Sequence, residues 1–188
     1  MTNTTINQQI DAHIEANVDY WLGQLARLCA HPGISAQNVR IAECAELVAT
    51  MLREQGCTAE VMPSNSYPMV YGEGNRRSTA APTLLFYLHY DVQPPDPLEL
   101  WESPPFELTR RDDIFYARGV SDDKGHIICR LAALAAVRDV PGLSLVSAGV
   151  GFPGSLVHAP NENMRLDNFI NGTRHMARII ERFGRSFW

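Results

Sequence analysis

The residues best suited to chemistry lie in three short segments. The first, His89-Tyr90-Asp91-Val92-Gln93-Pro94-Pro95, directly follows the apolar run from Thr83 to Leu88. His89 and Asp91 are two positions apart, so an extended backbone points both side chains the same way. An imidazole held by a neighbouring carboxylate is the usual arrangement of a metal-ligating histidine. The alternative is a strand-end histidine that satisfies its own backbone, with the prolines ending the strand. The second segment, Ala117-Arg118-Gly119-Val120-Ser121-Asp122-Asp123-Lys124-Gly125, reads as a strand-to-helix turn with two adjacent acids. The third is Val157-His158-Ala159-Pro160-Asn161-Glu162-Asn163, again after a strand and before a helix. Two histidines and a carboxylate gathered at strand ends suit divalent zinc, manganese or cobalt. Singly, each segment has a plainer reading, because Asp122 and Asp123, or Asn161 to Asn163, can cap a helix start. Their presence together favours a metal site.

The elements that must position these segments follow from periodicity. Ile10, Ile14, Trp21, Leu25 and Leu28 recur at helical spacing, which predicts one amphipathic helix from Ile6 to Cys29, stopped by His31-Pro32-Gly33. A second helix is expected from Asn38 to Gln55, with Gly56 as the residue just past its end. Cys57 to Met62 and Pro68 to Gly72 read as strands. The continuous apolar run Leu84-Leu85-Phe86-Tyr87-Leu88 reads as a strand buried on both faces. Its C-terminal end is where open α/β sheets place ligands. Phe106 to Arg110 and Ile114 to Ala117 flank a hairpin turn, Asp123 to Val137 is a helix, Leu143 to Val150 a strand and Leu166 to Phe183 a final helix. Mixed in this order, the elements predict an α/β domain with helices on both faces of the sheet.

At 188 residues the chain has the length of one ordinary domain, and 45% apolar with 20% charged residues is a globular composition. A net charge of −5 argues against nucleic acid or an anionic membrane as the main partner. The arginines between Arg165 and Arg185 alternate with apolar residues and read as the solvated face of the last helix. No apolar stretch reaches the length of a membrane span, and the polar start Met1-Thr2-Asn3-Thr4-Thr5 is unlike a signal peptide, so a cytoplasmic location is expected. Cys29, Cys44, Cys57 and Cys129 lack metal-knuckle spacing and sit among apolar neighbours, as reduced core thiols do.

The three segments closely resemble motifs of the dinuclear zinc metallopeptidase family that includes carnosinase, cytosolic nonspecific dipeptidase, carboxypeptidase G, and the acetylornithine and succinyl-diaminopimelate deacylases. Trp101 and Pro104-Pro105-Phe106 look most like the dipeptidase branch. The resemblance runs from the first helix to about Pro141 and again from about Gly149 to Phe183. It implies a three-layer helix-sheet-helix catalytic domain of zinc-exopeptidase type with a mostly parallel sheet. It also implies roles at matching positions: His89 ligates one metal, Asp122 bridges two, and His158 ligates the other. Asp91, the candidate catalytic residue, orients His89. A cis peptide between Asp122 and Asp123 is common in the family. Members usually hold two zinc ions, a bridging water and a glutamate that takes the water's proton.

That glutamate belongs to a Glu-Glu pair, and two consecutive glutamates occur nowhere in this sequence. The lid or dimerisation domain that normally interrupts the catalytic domain is missing as well. The chain therefore reads as a single truncated catalytic domain, with an N-terminal part over 1–142 and a C-terminal part over 145–188 joined across an apparent internal deletion. One zinc or none is expected, with manganese or cobalt as alternatives, unless Asp123, Glu162 or His126 moves in. His13, His31 and His175 read as surface or packing residues. The implied activity is metal-dependent hydrolysis of peptide or amide bonds in a small peptide or N-acyl amino acid. The competing expectation is a catalytically incomplete fragment or assembly module that keeps the fold and part of the metal site. Edges left bare by the deletion favour self-association.

Overall fold

The computed structural model describes residues 3–74, 85–139 and 155–185. The chain opens with two helices, α1 (Asn3–Ala16) and α2 (Val18–Cys29), where the periodicity predicts one. Asn17 breaks the run with φ −117° and ψ 10°. Its side-chain amide donates to the His13 carbonyl at 2.7 Å, a local bond that competes with the helical ladder. Helix α3 (Ile41–Glu54) ends as Gly56 predicts. Gly56 sits at φ +78°, a conformation that favours glycine. Its N–H donates to the Arg53 carbonyl at 2.9 Å and that of Cys57 to Leu52 at 3.1 Å. This double bond pattern satisfies carbonyls that the helix end would otherwise leave open.

Strands β1 (Thr58–Met62) and β2 (Met69–Glu73) form an antiparallel pair with Thr58 opposite Glu73. Strands β3 (Thr109–Arg111) and β4 (Ile114–Tyr116) form the expected hairpin, turned through Asp112 at φ +55°. A short strand that periodicity did not reveal, β5 (Asn163–Arg165), pairs antiparallel with β4, placing Met164 opposite Phe115. Helix α4 (Lys124–Asp139) follows the acidic turn, and α5 (Leu166–Arg185) follows β5.

The chain is α/β in its elements, but every strand ladder among the described residues is antiparallel. The only parallel pairing there is a single bridge between Ile34 and Val92. The strand expected to be buried on both faces is corrected over its described part. Among the described residues, 85–88 join no ladder, and Leu85 and Tyr87 are 81% and 92% exposed. No described strand lies beside them, so alternate side chains stay in solvent. The strand expected over Leu143 to Val150 and the junction of the apparent deletion lie outside the described residues.

The core has two parts. One joins Trp21, Leu25 and Leu28 of α2, Cys44, Leu47 and Met51 of α3, and Ile128 and Leu131 of α4. The other is the meeting of Ile6, Ile10 and Ile14 of α1 with Ala133 and Ala136 of α4 and Met176 and Ala177 of α5. Each fully buried large aliphatic side chain contributes on the order of 1.5–3 kcal/mol. The α5 arginines are not simply solvated: Arg178 pairs with Asp11 at 2.6 Å, and Arg174 pairs with Glu15. No helix among the described residues is long and apolar enough to cross a membrane.

The two core helices meet the acidic turn at Lys124, which is fully buried. Its ammonium donates to the carbonyls of Leu28 at 3.1 Å, His31 at 2.5 Å and Pro32 at 3.2 Å. A cation placed there complements the negative end of α2. Burial pulls its pKa below the ordinary lysine value, while the nearby Cys29 and Cys44 thiols act the other way.

Cys29 supplies a test of this core. Burial pushes its thiol from 9.0 up to about 12, against the opposing pull of Lys124. The folded chain keeps a proton that the unfolded chain releases, so stability falls as pH rises from 9 towards 12. The slope is about 1.4 kcal/mol per pH unit for one thiol. Urea unfolding of the reduced protein between pH 8.5 and 10.5 should show this decline, with a shallower slope in Cys29→Ala. An unchanged slope in that variant would contradict the assignment.

Candidate metal centre

Each site residue is placed by an element that ends beside it. His89 and Asp91 lie on the extended stretch after residue 88, held where Val92 N–H donates to Gly33 O at 3.0 Å. Gly33, at φ +61°, lies where an added Cβ would come within 3.2 Å of Cys44 Sγ and 3.4 Å of Tyr90 O. Asp122 sits in the turn before α4, and its bond to Asp123 is cis. The turn passes tightly over the His89 loop: a Cβ on Gly119, whose φ is +84°, would lie 2.6 Å from Val92 Cγ1. His158 sits in the loop before β5 at φ +65°, with Leu156 at +51° and Asn161 at +61° in the same loop. Non-glycine residues held in this region cost on the order of 1–3 kcal/mol each and cluster at functional sites.

The structure brings His89, Asp122 and His158 together. His89 Nε2 lies 3.0 Å from Asp122 Oδ1, and His158 Nε2 contacts Asp122 Oδ2. One carboxylate thus faces two imidazoles, one on each oxygen. His89 Nδ1 lies 3.1 Å from the Asp91 carbonyl and 3.2 Å from Asp91 Oδ1. Both are acceptors, so the Nδ1 proton points to Asp91 and Nε2 is left to face Asp122. Asp91 is itself fixed by the Ser35 hydroxyl, which donates to Oδ2 at 2.5 Å.

A lone pair on His89 Nε2 opposite a carboxylate oxygen is stable only with a positive charge between or upon them. Partial burial, the largest single influence, works against the imidazolium, but Asp122, Asp123 and the hydrogen bond to the Asp91 backbone together outweigh it, and the His89 pKa is raised. A divalent cation meets the same electrostatic demand. The donor chemistry suits zinc in kind, since imidazole nitrogen and carboxylate oxygen are both common zinc ligands. The donor count is low. Each side of Asp122 offers one nitrogen and one oxygen, against the roughly four ligands zinc takes. Accordingly, among the described residues no group of three or more His, Cys, Asp or Glu side chains is arranged to hold one metal ion.

The three residues that could have supplemented the site are committed elsewhere. Asp123 Oδ1 lies 2.7 Å from His126 Nδ1, and its Oδ2 accepts the His89 N–H at 3.2 Å. Glu162 is fully buried and pairs with the buried Arg118 at 2.8 Å. Its other oxygen, Oε1, accepts the N–H groups of Ser121 and Asp122, each at 3.0 Å. Arg118 Nη2 reaches the carbonyls of Pro94 at 3.3 Å and His158 at 3.5 Å. Trp101 covers its guanidinium at 5.3 Å, within cation–π range. The sequence offers Glu162 as a supplementary ligand from the His158 loop and assigns Arg118 no role; the structure instead pairs the two. The available signal was an arginine and a glutamate, one in each of two candidate site loops.

Residues 85–145 match the model of Peptidase family M20/M25/M40, a stretch that holds the His89 and Asp122 segments. A succinyl-diaminopimelate desuccinylase from Dechloromonas aromatica (strain RCB) is 33% identical over 115 residues, covering 61% of this chain. A cysteinylglycine-S-conjugate dipeptidase from Corynebacterium striatum is 45% identical over 65 residues, covering 35% of this chain. The chain spans only 28% and 14% of the length of these two curated relatives. Among solved structures, the M20 family metallo-carboxypeptidase Sso-CP2 from Sulfolobus solfataricus aligns with a TM-score of 0.61 and 36% identity over 65% of this chain and 28% of its own. Human carnosine dipeptidase 1 aligns with a TM-score of 0.64 at 24% identity, over 71% of this chain and 31% of its own, and shares the fold. In its matched segment and in its fold, the chain is similar to the M20/M25/M40 peptidases over part of their length.

Proposed function

We propose that the chain carries part of the catalytic domain of a metal-dependent amide hydrolase, with a small peptide or an N-acyl amino acid as substrate and the cytoplasm as its location. The observation that carries this reading is the Asp122 carboxylate set between two imidazoles, one on each oxygen. In this reading His89 and His158 each hold one zinc ion, Asp122 is shared, and Asp91 orients His89. Manganese or cobalt suits the same donors. Zinc bound there would polarise an amide carbonyl and acidify a water molecule. The substrate class rests on relatives named as a desuccinylase and a dipeptidase.

The chain's own residues then fall into two groups. His89, Asp122 and His158 bind, while Asp91 and Ser35 keep the His89 Nε2 directed at the shared carboxylate. None of the acids around the site is left to move a proton: Asp91 faces His89, Asp123 faces His126, and Glu162 faces Arg118. A positioned general base contributes roughly 10²–10⁴-fold. The chain alone should therefore turn over dipeptides or N-acyl amino acids at least about 10²-fold more slowly than a full-length relative.

Metal content and turnover test this together. Zinc added to the metal-free chain should bind weakly and be removed by extensive dialysis, and Asp122→Ala should abolish the binding. Two equivalents of zinc retained after dialysis would overturn the expectation of weak binding, and zinc binding or fast turnover that Asp122→Ala leaves intact would overturn the reading. Zinc binding lost in Asp122→Ala with no turnover at all would instead mark a module that keeps part of the site without chemistry.

We propose, in addition, that a second copy of the chain covers the bare segment at residues 85–88. Leu85 and Tyr87 are the most exposed large apolar side chains there, and an unpaired extended segment can add a strand from another molecule. Sedimentation should show a concentration-dependent dimer that the double substitution Leu85→Glu and Tyr87→Glu disperses. A wild-type monomer at high concentration would exclude it.

A further inference from the structure

We infer that Arg118 and Glu162 are positioning residues whose buried ion pair sets the spacing between the Asp122 carboxylate and the His158 imidazole. Glu162 lies four residues after His158 in the same loop, and its side chain crosses to the turn that carries Asp122. Its Oε1 takes two successive backbone N–H groups, those of Ser121 and Asp122, and so fixes the peptide that carries the Asp122 side chain. Its Oε2 meets Arg118 Nη1, and Arg118 Nη2 turns back to the carbonyl of His158 and onward to that of Pro94. Backbone bonds run alongside: Ala117 N–H donates to Glu162 O at 3.2 Å and Arg118 N–H to Pro105 O at 2.6 Å. One pair thereby ties together the His89, Asp122 and His158 loops.

The pair is a poor device for stability alone. Arg118 and Glu162 are 1% and 0% exposed, so both charges have lost their water. Apolar replacement of such a pair is often neutral or stabilising, whereas removing one partner leaves an unpaired buried charge. Position is what apolar side chains could not supply here, since only an acceptor can hold the two N–H groups of Ser121 and Asp122. Supporting residues behind a metal ligand typically change metal affinity by 10–100-fold when replaced.

The inference rests on the proposed metal site for its purpose, and the experiment has one arm that needs no metal. In the metal-free full chain, amide exchange at Ser121 and Asp122 and the NMR contact between the His158 ring and the Asp122 turn are compared in wild type and three variants. These are Glu162→Gln, Glu162→Asp, and the double variant Arg118→Met with Glu162→Leu. In the second arm, zinc affinity is measured by chelator competition and cobalt geometry by its visible absorption. Exchange at the two amides should accelerate at least tenfold while amides of α4 stay protected. The His158 contact should be lost, zinc affinity should fall by at least tenfold, and the cobalt spectrum should change. The double variant should still unfold cooperatively, at a midpoint lowered by the two amides left without an acceptor, and show the same losses. Variants that fold and keep wild-type amide exchange and His158 contact would overturn the inference, as would a double variant that fails to fold. A wild-type chain that binds neither zinc nor cobalt would sink the metal reading, and the metal-free arm would still decide the role of the pair.

Discussion

The turn from Arg118 to Lys124 begins and ends on a buried cation, and oxygen atoms from distant parts of the chain hold both. Lys124 is satisfied by three carbonyls at the end of α2 and the loop that follows it. Arg118 is held through its two terminal nitrogens, Nη1 by Glu162 and Nη2 by carbonyls of the two flanking loops, while its buried Nε makes no hydrogen bond among the described residues. Two charges taken out of water at the ends of a seven-residue stretch leave it few alternative placements, because any other would strand a charge. The Asp122 carboxylate inherits its position from this constraint. The core helices are thereby coupled to the candidate site through Lys124, and the site loops to one another through Arg118.

The candidate site is weakly fed by its own surroundings. Acids lie close by, but each is spent on a structural partner before it can reach Asp122. Asp123 serves His126 and the His89 backbone, and Glu162 serves the Asp122 turn. This division separates the residues that would bind from those that hold the binders in place. It also explains why an acid-rich neighbourhood can coexist with only two donors at each side of the shared carboxylate.

Much of this was legible in the sequence wherever a local rule acted. Gly56 marks the end of α3 because the left-handed turn there favours glycine, and the Arg111-Asp112-Asp113 turn marks the β3–β4 hairpin. The three segments stood out by their residue types, but the choice of His89, Asp122 and His158 as the ligands within them came from the family resemblance. The rest depended on long-range contacts that no local pattern encodes. Asn17 splits the first helix through a side-chain bond that a hydrophobic stripe cannot reveal. Strand β5 is three residues long, too short for alternation to register. Residues 85–88 have the composition of an interior strand, but composition cannot say whether neighbouring strands are present to cover them. The Arg118–Glu162 pair spans 44 positions, so each residue in isolation looks like an ordinary loop charge.

The ion pairs between α1 and α5 have a consequence for the order of assembly. Asp11 meets Arg178 across 167 positions, and Ile6, Ile10 and Ile14 pack in one cluster with Met176 and Ala177. Contacts of such separation are made late, because a long loop must close before they repay its entropy. During synthesis the first helix emerges with its apolar face already formed, while one of the helices that cover it has not yet been made. At about 5–20 residues per second, that interval lasts on the order of ten seconds or more. Throughout it the N-terminal helix presents three isoleucines to water, and the nascent chain carries a surface for chaperones that the finished fold conceals.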